Sequence, residues 1–280
     1  MHADQNNDRY FEHDDARLRY RDQGAGPALL LLHGWLLDLT LWDPLVPLLA
    51  EGFRVIRIDR RGFGASSGRP GLDADVEDAL ALLRHLGVQR VAALGMSQAA
   101  RVALRMAERA EGSIACLVLD GAPPLEGLPD LGWEQETTVA EYRDLLRRHG
   151  IVALRQQLTS HPLLRLHSAE RSARRLLAGM LARYSGSDLE APPATSEPVA
   201  ADRFTRLRLP VLILNGELDS PQRLRVGEAL RDAVRGAERH VLPSAGHLAC
   251  LDNPAAYAAA VTRFLSHHAS KWGQAPGRRT

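Results

Sequence analysis

Residues 90–107 read RVAALGMSQAARVALRMA. The apolar run Val91–Leu94 is that of a buried strand, and from Gln98 onward the pattern is helical, so Ser97 falls where strand turns directly into helix. Gly95 lies two residues before it and Ala99 two after. A serine hydroxyl acts as a nucleophile only if it stands clear of the backbone and meets a base. A strained strand-to-helix turn presents it that way, and small flanking residues let the chain fold that tightly. The new helix also aims its free N–H groups at the same place, where negative charge can develop. Taken alone, Ser97 reads equally well as a helix N-cap, for which serine is favoured. Its surroundings decide between the two.

Outward from this turn, Ala28–Leu32, Phe53–Ile58, Ile114–Leu119 and Val211–Leu214 are further short apolar runs, each ending near Gly or Asp. Strands covered on both faces by helices read in this continuous way. Helical patterns lie between them at 40–51, 74–86, 98–111, 221–234 and 254–268. Ser220-Pro221 and Asn253-Pro254 each pair an N-cap residue with proline at the first helical position. Alternation of strand and helix predicts an α/β fold with a mostly parallel sheet and helices on both faces. Imperfect alternation over Arg9–Arg21 suggests an antiparallel hairpin at one edge. Residues 124–207 break the rhythm: they carry helical patches at Val139–Arg148 and Ala169–Tyr184 but no buried strand, and read as a helical lid over the ligand end of the sheet. The expected organisation is a core of 1–123 and 208–280 with 124–207 inserted.

A serine nucleophile needs a base, and the base an orienting acid. Asp219 follows the strand PVLILNGELD, and His247 follows the short strand of RHVLPSAGHLACLDNP. Ser97, Asp219 and His247 occur in that chain order, each just after a strand, so all three collect at one edge of a parallel sheet. Singly, Asp219 reads as a helix cap and His247 as a surface loop histidine; their joint placement reverses both readings. At the end of LLLLHGW, Gly34 permits a sharp turn that leaves the Trp35 N–H facing the nucleophile. With the N–H of Gln98 it makes a two-donor oxyanion hole. His33 reads as a buried histidine satisfied by backbone bonds. Asp120, at the end of CLVLD, is a rival acid, and Glu217 reads as a turn residue. The glycines of GFGASSG at 62, 64 and 68 are misplaced for a dinucleotide loop, and no HExxH or similar metal spacing occurs. Asp59, Arg60 and Arg61 read as pinning that loop. His161, Arg165 and His167 in the lid could touch substrate, but read more readily as solvated helix residues.

On HGW at 33–35, DRRGFGAS at 59–66, GMSQA at 95–99, NGELD at 215–219 and GH at 246–247, the sequence resembles the α/β-hydrolase fold superfamily, its serine esterase and lactonase members in particular. The resemblance runs from about Leu18 to Leu265. It implies an eight-stranded, mostly parallel sheet with the lid inserted after the sixth strand. It also implies Ser97 as nucleophile, His247 as base and Asp219 as acid. Some members take their acid from the strand that Asp120 ends; the Gly-Glu-x-Asp form of the later loop favours Asp219. The chain departs from the pattern at Ala99, a position usually glycine, which sets the helix slightly further from the strand.

Composition narrows the remaining classes. Of 280 residues, 45% are apolar and 25% charged, as in a globular protein with an ample core. Thirty-five basic against 34 acidic residues leave +1, without the basic stripe of a nucleic-acid binder. Lys271 is the only lysine. Two cysteines, Cys116 and Cys250, exclude a disulfide framework. The start MHADQNNDRYFEHDD is not a secretory signal, and no apolar run spans a bilayer, so the cytoplasm is expected.

The expected activity is hydrolysis of a carboxylic ester or lactone by a serine hydrolase that needs no cofactor and no metal, acting on a small apolar substrate. Trp35, Leu36, Met96, Leu131, Trp133 and Leu164 are expected to line its pocket. Carbon–carbon bond hydrolysis, perhydrolysis and lyase chemistry on the same scaffold stay open, as does a binding protein with a vestigial triad. Neither nucleic acid nor membrane is an expected partner.

Overall fold

A computed structural model describes residues 7–129, 138–190, 199–200 and 205–269. Its strands among these residues are β1 (Arg9–His13), β2 (Ala16–Gln23), β3 (Ala28–Leu32), β4 (Arg54–Ile58), β5 (Val91–Met96), β6 (Ile114–Asp120), β7 (Val211–Gly216) and β8 (Glu238–Leu242). They form one eight-stranded sheet in the order β1-β2-β4-β3-β5-β6-β7-β8. The β1–β2 hairpin and the β2–β4 pair are antiparallel, and every pair from β4 to β8 is parallel. The expected α/β architecture and edge hairpin are therefore present.

Continuous apolar strands follow from a sheet whose two faces are both covered. Side chains alternate across a strand: Leu29 and Leu31 enter one apolar cluster, Leu30 and Leu32 the other. The first cluster packs under α8 (Pro254–His267) through Tyr257, Val261 and Phe264. The second packs under α2 (Leu72–His85), α3 (Ala99–Arg109) and α7 (Pro221–Ala233), through Val76, Leu82, Val102, Met106, Val226 and Leu230. Each fully buried leucine contributes about 1.5–3 kcal/mol, so the central strands carry much of the folding free energy. Cys116 and Cys250 pack in the first cluster as small apolar groups.

The helix expected over 40–51 is not continuous. A 3-10 turn at Leu39–Trp42 gives way to the four-residue α1 (Val46–Leu49). Pro44 lacks an N–H and its ring clashes with the preceding turn, so a helix cannot run through it. Among the described residues between β6 and β7 lie α4 (Val139–Leu158), a 3-10 turn at Pro162–Leu164, α5 (Arg171–Arg183), α6 (Ser187–Glu190) and an isolated bridge between Glu126 and Ala200. A capping box of Thr138 and Glu141 starts α4. The helix runs past Arg148 through a kink at Gly150, where φ is 76°, because Leu154 and Leu158 continue its buried stripe. The inserted helices share the core: Leu154, Leu177 and Tyr184 lie in the same apolar cluster as Leu36 and Trp42. No helix among the described residues is long and apolar enough to cross a membrane.

Five segments leave the sheet at the carboxyl ends of β3, β5, β6, β7 and β8. Register aligns those ends: Leu32 opposes Gly95, Met96 opposes Asp120, Asp120 opposes Leu214, and Gly216 opposes Leu242.

Candidate active site

Ser97 follows β5 immediately and adopts φ 52°, in the left-handed region. For a residue with a Cβ this costs about 1–2 kcal/mol, strain of the kind that concentrates at functional sites. Its N–H donates to the Asp120 carbonyl at 2.7 Å, tying the turn to β6. The helix-cap reading fails: the α3 cap position is Gln98, and no side chain caps it. The tightness of the turn is set at Gly95. A Cβ there would stand 2.3 Å from the Ala99 carbonyl oxygen and 2.9 Å from the Ala100 Cα. The methyl of Ala99 is fully buried in the core.

Asp219 and His247 meet as the chain order suggested. The His247 Nδ1–H faces both carboxylate oxygens, at 3.0 and 3.1 Å, and both residues are 6% exposed. Asp219 is free for this because Ser220 caps α7, accepting from the Arg223 N–H at 3.3 Å. Its Oδ1 also accepts from the Ser220 N–H at 2.8 Å. With Nδ1 so occupied, Nε2 is the ring nitrogen left to accept a proton.

Two residues that frame this pair escaped the sequence reading. Gly121, at φ 53°, lies so close beneath the imidazole that a Cβ would stand 2.7 Å from Cε1. The end of β6 thus touches Ser97 through Asp120 and His247 through Gly121. Asp252 collects three backbone donors: Gly246 at 2.8 Å on one oxygen, His167 at 2.7 Å and Ser168 at 2.8 Å on the other. It clasps the His247 loop to the inserted segment. Partners that are all main chain leave no pattern in the sequence.

The His33–Trp35 turn lies against Ser97. A Cβ on Gly34 would stand 2.6 Å from the Met96 sulfur and 3.3 Å from the Ser97 Cβ. His33 is fully buried; its Nδ1–H donates to the Gly34 carbonyl at 2.8 Å, and its Nε2 accepts from the Arg60 N–H at 2.9 Å. Burial and then the Arg60 cation lower its pKa to about 3, so the ring is neutral and steadies the turn. Among the described residues no acceptor takes the N–H of Trp35 or of Gln98. The Trp35 indole N–H donates to Asp188 at 2.6 Å, and the Tyr184 hydroxyl donates to the other oxygen of Asp188 at 2.6 Å. Burial, followed by the Asp188 charge, pushes the Tyr184 pKa up.

Of the expected pocket residues, Trp35 is half-buried against Tyr142, while Leu36, Met96 and Leu164 are buried. Leu131 and Trp133 lie outside the described residues. His161 corrects the expectation of a solvated residue. It is 7% exposed, its Nδ1 accepts from the Leu163 N–H at 3.2 Å, and its ring stands 6.3 Å from that of Trp35. Burial, then nearby His247 and Arg223, lower its pKa to about 4. His167 is likewise not free in solvent, since its ring packs against Gly246. Glu217 is a turn residue, accepting from the Ser244 N–H at 3.0 Å. Asp59 pins its loop through Arg19 and the N–H groups of Leu39 and Ala65, each at 2.7 Å. Arg61 grips Asp78 through two bonds, at 2.8 and 2.7 Å.

The rival acid faces elsewhere. Asp120 Oδ2 accepts from the Tyr257 hydroxyl at 3.0 Å, and its Oδ1 has no hydrogen-bond partner among the described residues. Burial raises its pKa to about 8, against the pull of Tyr257. In the unfolded chain the same carboxyl ionises near pH 4. Between those limits the folded state binds more protons, so stability is full below the ordinary carboxyl value and is lost as pH rises through about 8. The isosteric Asp120→Asn removes this titration, and its melting temperature should fall less than the parent's between about pH 5 and pH 9. Parallel decline of the two over that range would assign no buried proton to Asp120.

A family model described as alpha/beta hydrolase fold matches residues 27–254. A non-heme haloperoxidase from Rhodococcus erythropolis is 31% identical over 269 residues, covering 86% of this chain and 92% of that protein. A pimeloyl-[acyl-carrier protein] methyl ester esterase from Methylococcus capsulatus is 29% identical over 262 residues, covering 87% and 96%. Among solved structures, a thermophilic esterase from Thermogutta terrifontis is similar with a TM-score of 0.78 at 25% identity, covering 90% and 94%.

Proposed function

The chain belongs to the α/β-hydrolase fold family, and within it we propose a serine hydrolase, independent of any cofactor, that cleaves a carboxylic ester or lactone. The observations that carry the reading are the pairing of His247 with Asp219 and the strained Ser97, one tied to the end of β6 at Gly121 and the other at Asp120. His247 Nε2 takes the Ser97 proton as Oγ attacks the carbonyl carbon, and Asp219 holds the Nδ1–H and stabilises the imidazolium. The tetrahedral oxyanion rests on the N–H groups of Trp35 and Gln98. Collapse expels the alcohol, which takes its proton from His247. A water molecule, deprotonated by the same nitrogen, then attacks the acyl-enzyme and releases the acid and free Ser97. The esterase relatives support this chemistry.

Trp35, Leu36 and Leu164 favour an apolar small-molecule substrate, with the inserted helices as its lid. The test is a panel of aryl esters of short, medium and long acyl chain beside several lactones, together with β-diketones and vinylogous ketones. Turnover of an ester or lactone, with preference for apolar acyl groups, is expected. Cleavage of the diketones alone would move the protein to carbon–carbon bond hydrolysis. Labelling by a fluorophosphonate without any turnover would make it a binding protein. The haloperoxidase relative favours one second reading, in which hydrogen peroxide replaces water at the acyl-enzyme and a peracid leaves. Peracid formation from the same esters checks it.

A further inference from the structure

The two N–H groups assigned to the oxyanion come from separate segments, Trp35 after β3 and Gln98 after β5. One residue reaches both. Arg60, 3% exposed, follows β4. Its main-chain N–H donates to His33 Nε2 at 2.9 Å, and His33 in turn donates to the Gly34 carbonyl, so this bond fixes the turn that carries Trp35. Its guanidinium Nη2 donates to the Gln98 side-chain oxygen at 2.6 Å. Nη1 donates to the buried Asp75 at 3.2 Å, and the guanidinium carbon stands 4.8 Å from the Phe63 ring centroid.

We propose that Arg60 is the positioning residue of the oxyanion hole, setting the separation of the two donors through its backbone on one side and its guanidinium on the other. A buried Arg–Asp pair is a weak source of stability, because desolvation offsets most of the attraction; apolar residues of similar volume do as well or better. What such a pair supplies here is geometry. The fork of the guanidinium engages Gln98 and Asp75 through different nitrogens at a fixed spacing, which an ammonium group does not reproduce. Donors aimed at a developing charge act only if their placement is held, and displacements of about 1 Å can cost two orders of magnitude in rate.

The role rests on the proposed serine-hydrolase reading, and the test separates the two. Wild type, Gln98→Leu, Arg60→Lys and the double variant are titrated with a fluorophosphonate to count functional sites. Then kcat and KM per titrated site are measured on an ester, with the inhibition constant of an alkyl boronic acid as a tetrahedral mimic. Gln98→Leu leaves the Arg60–Asp75 pair intact, so it reports even if Arg60→Lys folds poorly. Each single variant is expected to lower kcat per site roughly tenfold or more, hold KM within about threefold, and weaken boronate binding in step with kcat/KM. The double variant should lose little beyond Arg60→Lys, because both changes cut the same bond. Fewer titratable sites with unaltered kcat per site and unaltered boronate binding would make Arg60 merely structural and overturn the proposal. A wild-type protein that neither takes the label nor turns over an ester or lactone overturns the hydrolase reading itself, and this role with it.

Discussion

Exchange of Ser97 for alanine is expected to lower ester turnover by roughly ten-thousandfold or more, about 5 kcal/mol of transition-state stabilisation, with the fold intact. Alanine has the same Cβ as serine and adopts φ 52° at the same strain, and the bond from residue 97 N–H to the Asp120 carbonyl does not involve the side chain. The melting temperature should therefore stay near that of the parent. The variant should bind substrate with little change, because the hydroxyl contributes to the reacting geometry and not to the walls. It should also lose all fluorophosphonate labelling. Some rate above that of water is expected to survive, since the Trp35 and Gln98 donors remain. Turnover retained within a few-fold of the parent would remove Ser97 from the chemistry and return it to a turn residue.

Asp219→Asn should be nearly as damaging, lowering kcat by about ten-thousandfold while KM changes little. The carboxylate accepts the His247 Nδ1–H through two oxygens at 3.0 and 3.1 Å. A carboxamide turned with its NH2 toward the ring donates to Nδ1 instead, which drives the ring proton to Nε2. In that tautomer the imidazole has no lone pair with which to take the Ser97 proton. Asp120 is buried in the same region but is engaged by the Tyr257 hydroxyl and keeps its own proton, so it offers no ready substitute. Steady-state kinetics on the best ester of the panel measure the effect. An Asp219→Asn protein of near-parental activity, beside an inactive Asp120→Asn, would move the orienting acid to β6.

Much of this was legible in the sequence, for definable reasons. The parallel strands announce themselves because both faces of the sheet are covered, so Leu29 through Leu32 are all apolar. Ser220 and Asn253 mark their helix starts because capping is a local interaction. Ser97, Asp219 and His247 stand out because each is a reactive side chain at a strand end. Contacts made by main chain, or by the absence of a side chain, were not legible. Gly121 matters through the room it leaves under the imidazole, and Asp252 through three N–H groups that any sequence supplies. The burial of His161 is not legible locally, because it comes from the rings at positions 35 and 142. The continuous helix expected over 40–51 gave too much weight to apolar spacing and too little to Pro44.

The dipeptide Asp120–Gly121 has a consequence for how such a protein diversifies. One strand terminus supplies the reference point for the hydroxyl-bearing turn on one side and for the imidazole on the other, and the described inserted helices begin only later in the chain, at Val139. The serine turn and the imidazole thus each take one contact from the sheet itself and not from the inserted helices. A descendant that alters its inserted helices keeps both of these contacts, because neither is made by a side chain of the insertion.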